Sequence, residues 1–409
     1  MPGKVLMLLN APYPADIRVK KEAQALLKAG WLVHLICLRK KGQSYTEVFE
    51  GIEIKRIDAG KNNYQLAFWD VIMSMTFVHP LFKRSILALA KQQSFDLIHV
   101  HDLPLVGTAL KIKRLLGIKV VADMHENYPE ALRTWFNWKK NPIVRLKNRL
   151  FMNPQRWTSH EKYACQQADA IIAVVEEMKW RISRQHHIDK KKIHVITNTE
   201  GKDFVKQSID TNVYDSMGGG FIITYSGGIG PHRGVDTTIE AFQFLKGNPK
   251  IKLAIVGCGS SSVMNNLKHL VARLQLSSVY FLGYQPFSKF YSFMHLADVN
   301  IIPHHSTGHT DNTVPHKLFQ GMMAGKPLLV SSSAPLKRIV DACSSGLVFE
   351  AGNPTDLADK ILVLYHEEGL RAALGANGRQ STLEGHLNWE ITQKSLLNLY
   401  DHLTTHEPR

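Results

Sequence analysis

Residues 311–327 read DNTVPHKLFQGMMAGKP: three helix-capping residue types, a proline, then a short apolar helix. Proline suits a first helical position, where its missing N–H costs nothing. The N–H groups of His316, Lys317 and Leu318 are then expected to open outward, where the helix dipole favours an anion such as phosphate. Leu318, Phe319, Met322 and Met323 form the apolar stripe. His316, Lys317 and Gln320 are expected opposite it, with Gln320 the most exposed mid-helix position. Alone, such a segment reads as an ordinary helix with its polar face in water. A second stretch, YSGGIGPHRGVDTTIEAF (225–242), joins a strand to a helix through a glycine-rich turn. Gly227 and Gly228 allow close backbone approach to a ligand, and Arg233 supplies a forked, permanently charged donor suited to diphosphate.

Other chemistry-bearing residues cluster at strand ends. HVHD (99–102) places His101 and Asp102 where they either touch a substrate or shape a turn. His125, in HEN just past VVADM, is expected at the mouth of a sheet crevice. His304, His305, His309 and Asp311 form a metal-like group, but their spacing matches no ligand pattern, so no metal is expected. A glycosidase-like mechanism needs two placed carboxylates, and no convincing pair is legible.

The elements that must hold these residues alternate between short β-branched runs and amphipathic segments, the pattern of βαβ units. VLMLLN, LVHLICL, IEIKRI, DLIHVH, KVVADM, AIIAVV and IHVIT are the strands of the first half. The helix from near Asp16 carries Val19, Ala23, Leu26 and Leu27 on one face and stops at Gly30. After a polar stretch ending in MGGG, the alternation restarts with FIITYSGG, KLAIVGCG, VYFLGY, DVNIIP, PLLVSS and GLVFEA. The expected fold class is α/β, with two doubly wound Rossmann-like domains facing each other across a cleft. Residues 1–200 are the first domain, 201–220 a linker and 221–385 the second domain. A final helix, about 386–409, packs back onto the first.

The totals agree with a globular protein of two domains: 409 residues, 44% hydrophobic and 21% charged. Four scattered cysteines without a C-x-x-C pair argue against disulfides and zinc, and fit a reducing cytoplasm. No signal peptide or membrane span is expected. The net charge of +15 calls for an anionic partner. Between Ala131 and His160 lie seven basic residues and no acidic one, interleaved with Trp135, Phe136, Trp138, Phe151 and Trp157. That mixture fits either a helix lying against an anionic membrane, through residues 135–157, or a solvated basic face. No nucleic-acid-binding motif is present, and no nucleic acid is expected as partner.

In combination these stretches resemble the retaining, GT-B-fold glycosyltransferases of family 4. The likeness runs through PADIRVKKEAQALLKAG, FDLIHVHD, VVADMHENYPE and DKKKIHVITNT in the first half. It continues through GGIGPHRGVDTTIEAF, LAIVGCG, VYFLGY, HKLFQGMMAGKPLLVSS and GLVFEAGNPTDLADKI. The resemblance implies transfer of a sugar from a nucleoside diphosphate sugar to a glycan or lipid-linked acceptor, without metal or other cofactor. It makes Arg233 the diphosphate contact, His125 the acceptor-domain histidine near the transferred sugar, and Asn312 the counterpart of a catalytic glutamate. Gly227, Gly228, Tyr284, Asp311, Thr313, Val314, His316, Lys317 and Gln320 fall in the donor site. Asp16, Arg18, His101, Asp102 and Glu126 face the acceptor. The implied setting is cytoplasmic, peripheral on the inner face of the membrane, in cell-surface polysaccharide or glycoconjugate synthesis.

The chain departs from the family pattern at three places: Gln320 and Asn312 replace glutamates, and Gly228 replaces an arginine. An amide at 320 still offers hydrogen bonds, at an expected loss of about 1–2 kcal/mol in ribose binding. Two other readings therefore stand beside the transferase. One is a nucleotide-sugar epimerase of the same fold. The other is a catalytically silent nucleotide-sugar-binding partner.

Overall fold

The computed structural model describes residues 3–60, 63–137, 148 and 150–405. The chain divides into two compact units, Met1–Thr197 together with Gln393–Arg409, and Asn198–Thr392.

In the first unit, strands β1 (Lys4–Pro12), β2 (Leu32–Leu38), β3 (Thr46–Phe49), β4 (Ile52–Ile57), β5 (Leu97–His101), β6 (Lys119–Met124), β7 (Ala170–Ala173) and β8 (Ile193–Val195) form one sheet. Their order is β3-β4-β2-β1-β5-β6-β7-β8. All pairs are parallel except β3 with β4. Val5 to Leu9 are all buried, as an unbroken apolar run must be when helices cover both faces of a parallel sheet. Strand β3 escapes the sequence reading because TEVF is an exposed antiparallel edge with no apolar face to bury. The helices of this unit are α1 (Ile17–Lys28), α2 (Asn63–Thr76), α3 (Pro80–Ala90), α4 (Leu103–Leu116), α5 (Tyr128–Asn137), α6 (Pro154–Gln167) and α7 (Glu176–His186). Asp16 caps α1 by accepting the N–H of Arg18, and Val19, Ala23 and Leu26 turn inward.

In the second unit, β9 (Phe221–Ser226), β10 (Ile251–Val256), β11 (Val279–Gly283), β12 (Val299–Ile302), β13 (Leu328–Ser331) and β14 (Gly346–Phe349) run parallel in the order β11-β10-β9-β12-β13-β14. Its helices are α8 (Val235–Ala241), α9 (Ser261–Arg273), α10 (Phe290–Leu296), α11 (His316–Met323), α12 (Ala334–Cys343), α13 (Pro354–His366), α14 (Glu368–Leu383) and α15 (Trp389–Thr405). Ile223, Tyr225, Ile239, Leu253, Ile255, Ile301 and Leu329 build its core. Helix α15 is shared: from Gln393 onward it belongs to the first unit, where Leu396 and Tyr400 are buried and Tyr400 meets the Trp31 ring edge-on at 5.0 Å.

Residues 201–220 differ from the expected linker. They lie inside the second unit, with Phe204 packed on Tyr291 and Tyr214 packed on Phe293. The polar composition of this stretch conceals three buried anchors, Phe204, Tyr214 and Met217. Strand order reverses between β1 and β5 in one sheet and between β9 and β12 in the other. Crevices for ligands open at such switch points, beyond the strand C-termini.

Candidate functional site

The second unit's switch point is built from glycine turns. Gly227 follows β9 with φ 126°, and Gly257 follows β10 with φ 140°. A Cβ on Gly257 would lie 1.9 Å from the Gly227 carbonyl oxygen, so only glycine allows the two turns to touch. Gly228 has open space around its Cα, and its carbonyl accepts the Tyr225 hydroxyl at 2.6 Å. Gly234, at φ 66°, presses onto the Pro303 carbonyl, where a Cβ would sit 1.6 Å away. This approach sets Arg233 beside the end of β12, and its Nη1 donates to Nε2 of His304 at 3.0 Å. Burial, with Arg233 and Lys317 nearby, holds His304 well below the usual histidine range, so its neutral ring accepts that bond.

Lys317 reaches into the same place from α11. Its Nζ is buried and has no hydrogen-bond partner among the described residues. It lies 3.8 Å from the centroid of the Tyr225 ring, and a Cβ on Gly227 would come within 3.0 Å of it. Burial, then Arg233, pushes its pKa well below the normal lysine range. A buried ammonium without an anion is costly, so Lys317 and Arg233 together can accept a negatively charged ligand. The start of α11 contributes less than expected: Pro315 is its cap rather than its first residue, and the Leu318 N–H is already bonded to the Pro315 carbonyl at 3.1 Å.

Gln320 corrects the sequence reading. It is buried rather than exposed, and its Nε2 donates to Oε2 of Glu200 at 2.7 Å. Asn312 and Asp311 hold their own loop. The Asn312 amide donates to the Gly308 carbonyl at 2.8 Å, and Asp311 accepts the Ser306 hydroxyl at 2.6 Å. His305 pairs with Asp236 at 3.1 Å, and the His309 ring lies 5.2 Å from that of His232. The four-residue metal-like group is thus split among separate tasks. Val314 is buried, Thr313 has extended backbone, half-buried His316 opens α11, and Tyr284 is exposed beyond β11.

At the first unit's switch point, six chemistry-bearing side chains converge. His125 follows β6 and lies buried, with Nδ1 3.3 Å from Oδ1 of Asp102 and Nε2 in contact with Oδ2 of Asp123. That same oxygen faces Nδ1 of His101 at 3.1 Å and Nε2 of His99 at 3.3 Å. The other nitrogen of His99 meets the Tyr400 hydroxyl at 2.6 Å. Burial and Arg18 oppose charge on His125, but Asp123 and Asp102 outweigh them and raise its pKa well above the usual range. It is an imidazolium whose two N–H groups point at two carboxylates. Asp102 adopts φ 67° at the β5–α4 junction, its N–H bonded to the Asp123 carbonyl at 2.9 Å.

Asp16 and Arg18 form a two-pronged pair, Nε to Oδ1 at 3.1 Å and Nη2 to Oδ2 at 2.8 Å. The charges of His125 and His101 also act on Asp16, so the structure gathers Asp16, Arg18, His101, Asp102 and His125 in one field. Glu126 is half-buried beside them in sequence. Sequence reasoning missed Glu22, His99, Asp123 and Tyr400 here, and Tyr225, Glu200 and the Arg233-positioning role of His304 in the other unit. The alternation HVH with the aspartate of VVAD was the available signal, because residues i and i+2 of a strand share a face. Glu22, His99, His101 and Asp123 each offer one ligand atom within 4.8 Å of the others, the set among the described residues able to hold a metal ion.

Of the aromatic stretch, Trp157 points inward, packed on Phe77 and Tyr128, while Trp135 is exposed. Lys139, Lys140, Arg145, Lys147 and Arg149 lie outside the described residues. No helix among the described residues is long and apolar enough to cross a membrane.

Comparison with known proteins fits this geometry. Residues 16–199 match the model for Glycosyltransferase Family 4, and residues 207–381 match that for glycosyl transferases group 1. An uncharacterized glycosyltransferase of Methanocaldococcus jannaschii, MJ1178, is 28% identical over 319 residues, covering 77% of this chain and 78% of its own. Among solved structures, sucrose-phosphate synthase from Thermosynechococcus elongatus aligns with a TM-score of 0.79 at 16% identity, over 99% of this chain and 100% of that one. Anabaena HepE in complex with UDP aligns at 0.73 and 14% identity, over 98% of this chain and 100% of its own. These two likenesses concern the fold, two parallel-sheet α/β units of the GT-B type. With a family model matched in each unit, and a parallel sheet with a polar cluster at each switch point, the chain belongs to the family 4 glycosyltransferases.

Proposed function

We propose that this protein is a retaining, metal-independent glycosyltransferase that moves a sugar from a nucleoside diphosphate sugar to a glycan or lipid-linked acceptor. The observation that carries the reading is Lys317, a buried ammonium with no hydrogen-bond partner among the described residues, beside a glycine turn and Arg233. Charge develops on the departing diphosphate as its bond to the anomeric carbon breaks, and preorganised cations aimed at that charge lower the barrier. Arg233, locked by neutral His304, and Lys317 supply this stabilisation without an ion. The acceptor oxygen then bonds to the anomeric carbon on the same face, and its proton passes to the leaving phosphate. UDP bound to the structurally similar HepE supports a nucleotide as donor.

His125, fixed between Asp102 and Asp123, presents a charged ring at the acceptor side. Both of its N–H groups are engaged by those carboxylates, so it serves the acceptor side as a fixed positive charge and not as a general base. The role we assign is extension of a cell-surface polysaccharide or glycoconjugate at the cytoplasmic face of a membrane.

The test is a thermal-shift screen against UDP, GDP, ADP and CDP and their sugar conjugates in the presence of a chelator, followed by transfer assays with the stabilising donor. One base raising the melting temperature, with the effect lost in Arg233→Ala, is the expected outcome. Absence of any shift overturns the donor site, and binding without hydrolysis or transfer converts the protein to a silent partner. An inverted anomeric product would overturn retention.

A further inference from the structure

The first unit carries a concavity that shares no residue with the strand-end cluster. It has a volume of about 420 Å³ and is lined by Phe77, Lys111, Arg114, Arg156, His160 and Tyr163, among others. Such a size suits a small-molecule group. Lys111 and Arg114 project from α4 at i and i+3 spacing, and Arg156, His160 and Tyr163 from α6 at i, i+4 and i+7 spacing. Among the described residues, no carboxylate lines the cavity.

Its floor is specifically built. Phe77 sits in the turn between α2 and α3 at φ 54°, a left-handed conformation that a bulky residue adopts only under tertiary constraint. Its ring lies parallel to that of His160, 4.0 Å away. Gly107 of α4 permits this approach, since a Cβ there would lie 2.1 Å from the Phe77 carbonyl oxygen. The cations are not spent on acids. Arg114 donates to the Tyr163 hydroxyl at 2.5 Å, and Arg156 donates to the Met75 carbonyl at 3.0 Å with its guanidinium 5.4 Å from the Phe77 ring. Buried His160 keeps an Nε2 without a hydrogen-bond partner among the described residues.

Exposed apolar residues adjoin these elements: Met75, whose carbonyl accepts from Arg156, is 55% exposed, Leu115 and Leu116 follow Arg114 in the chain and are exposed, and Phe68 lies two turns before Met75 on α2 at 56%. Cations that meet no acid among the described residues, in a pocket with exposed apolar residues beside its helices, match an amphiphile with an anionic head.

We propose that this pocket binds the phosphate of an anionic lipid headgroup, with the lipid chains lying against the exposed face of α2. A phosphate diester meets the Lys111, Arg114 and Arg156 donors, and the Phe77–His160 stack bounds it from below. The site is independent of the transfer reaction: it holds the first unit on a membrane whichever sugar is moved.

The experiment uses the full chain and three proteins: wild type, K111Q/R114Q/R156Q, and the charge-matched control K28Q/K41Q/K91Q, whose three lysines are exposed elsewhere on the same unit. Flotation is measured with phosphatidylcholine vesicles and with vesicles part-substituted by phosphatidylglycerol, and melting temperature is followed with inorganic phosphate. The expected result is binding to the anionic vesicles only, at least tenfold weaker in the pocket variant and near wild type in the control. Equal weakening in both variants would mean diffuse electrostatics and overturns the pocket. Stabilisation by inorganic phosphate, lost in the pocket variant without any vesicle binding, overturns the lipid as source in favour of a soluble phosphate ester. No response to either probe overturns the site altogether. Should the triple variant unfold, the single exposed change Lys111→Glu answers the same question.

Discussion

Gln320 donates its side-chain amide to the Glu200 carboxylate at 2.7 Å, and both side chains are buried, at 5% and 7% exposure. A second carboxylate at position 320 would face Glu200 across that distance. The amide is therefore matched to its partner, and the departure from the family's glutamate has a local cause. Gln320→Glu is expected to lower stability by about 2 kcal/mol, the loss of a buried hydrogen bond to a charged group. The exchange Glu200→Gln with Gln320→Glu restores the pairing and most of that loss. Denaturant midpoints of wild type, single and double variants check this; a single variant as stable as wild type would show the pair to be incidental.

Lys317 makes an unusual combination of outcomes predictable. Its ammonium is buried and unpartnered, so Lys317→Met is expected to leave the free protein as stable as wild type or more so. The same variant should bind nucleoside diphosphates at least tenfold more weakly. Because burial and Arg233 depress its pKa and an arriving diphosphate raises it, binding takes up protons from the buffer at pH values between the free and the bound pKa. Calorimetry in buffers of different ionisation enthalpy measures that uptake, and its disappearance in the variant is the check.

Acid stability follows from two buried groups in the first unit. Burial pushes His79 down to about 4 from an ordinary 6.5. Its neutral form therefore contributes stability above pH 6.5 that is lost as the pH falls to about 4, with up to about 3 kcal/mol at stake. Glu161 is buried, which opposes its charge, yet Arg181 and His186 win and hold it at about 2 against an ordinary 4.5. Its contribution is present above pH 4.5 and lost between there and pH 2. His79→Phe should flatten the upper part of the acid-unfolding curve and Glu161→Gln the lower part, with the second variant also less stable at neutral pH. Urea melts across the pH range would refute this if both slopes stayed as in wild type.

Tyr400 ties the last helix to the His125 cluster through its hydroxyl on His99. Tyr400→Phe keeps the ring against Trp31 and removes one buried hydrogen bond, at a cost of about 1 kcal/mol. Through His99 and Asp123 it should also displace the pH profile of turnover, which a purely structural loss leaves in place. Turnover measured against pH in both proteins separates the two.

The sequence by itself determined the class of fold and the order of the elements. Apolar runs such as VLMLL and LAIVG can be satisfied only in a sheet covered on both faces, and GGIGPHRG and MAGKP punctuate the chain where helices must start or stop. It also singled out Arg233, Lys317, His101 and Asp102 by residue type and by their place near strand ends and helix starts, while Arg18 and the role of His125 came with the resemblance to family 4. What only the tertiary structure decided was partnership. Glu200 meets Gln320, Tyr400 meets His99, and Phe77 meets His160 across 120, 301 and 83 residues of chain. Nothing in local periodicity encodes these pairs; they follow from the strand order and from which faces the helices cover. The helical wheel put Gln320 in water because amides are usually exposed, and a buried carboxylate from another segment reversed that preference.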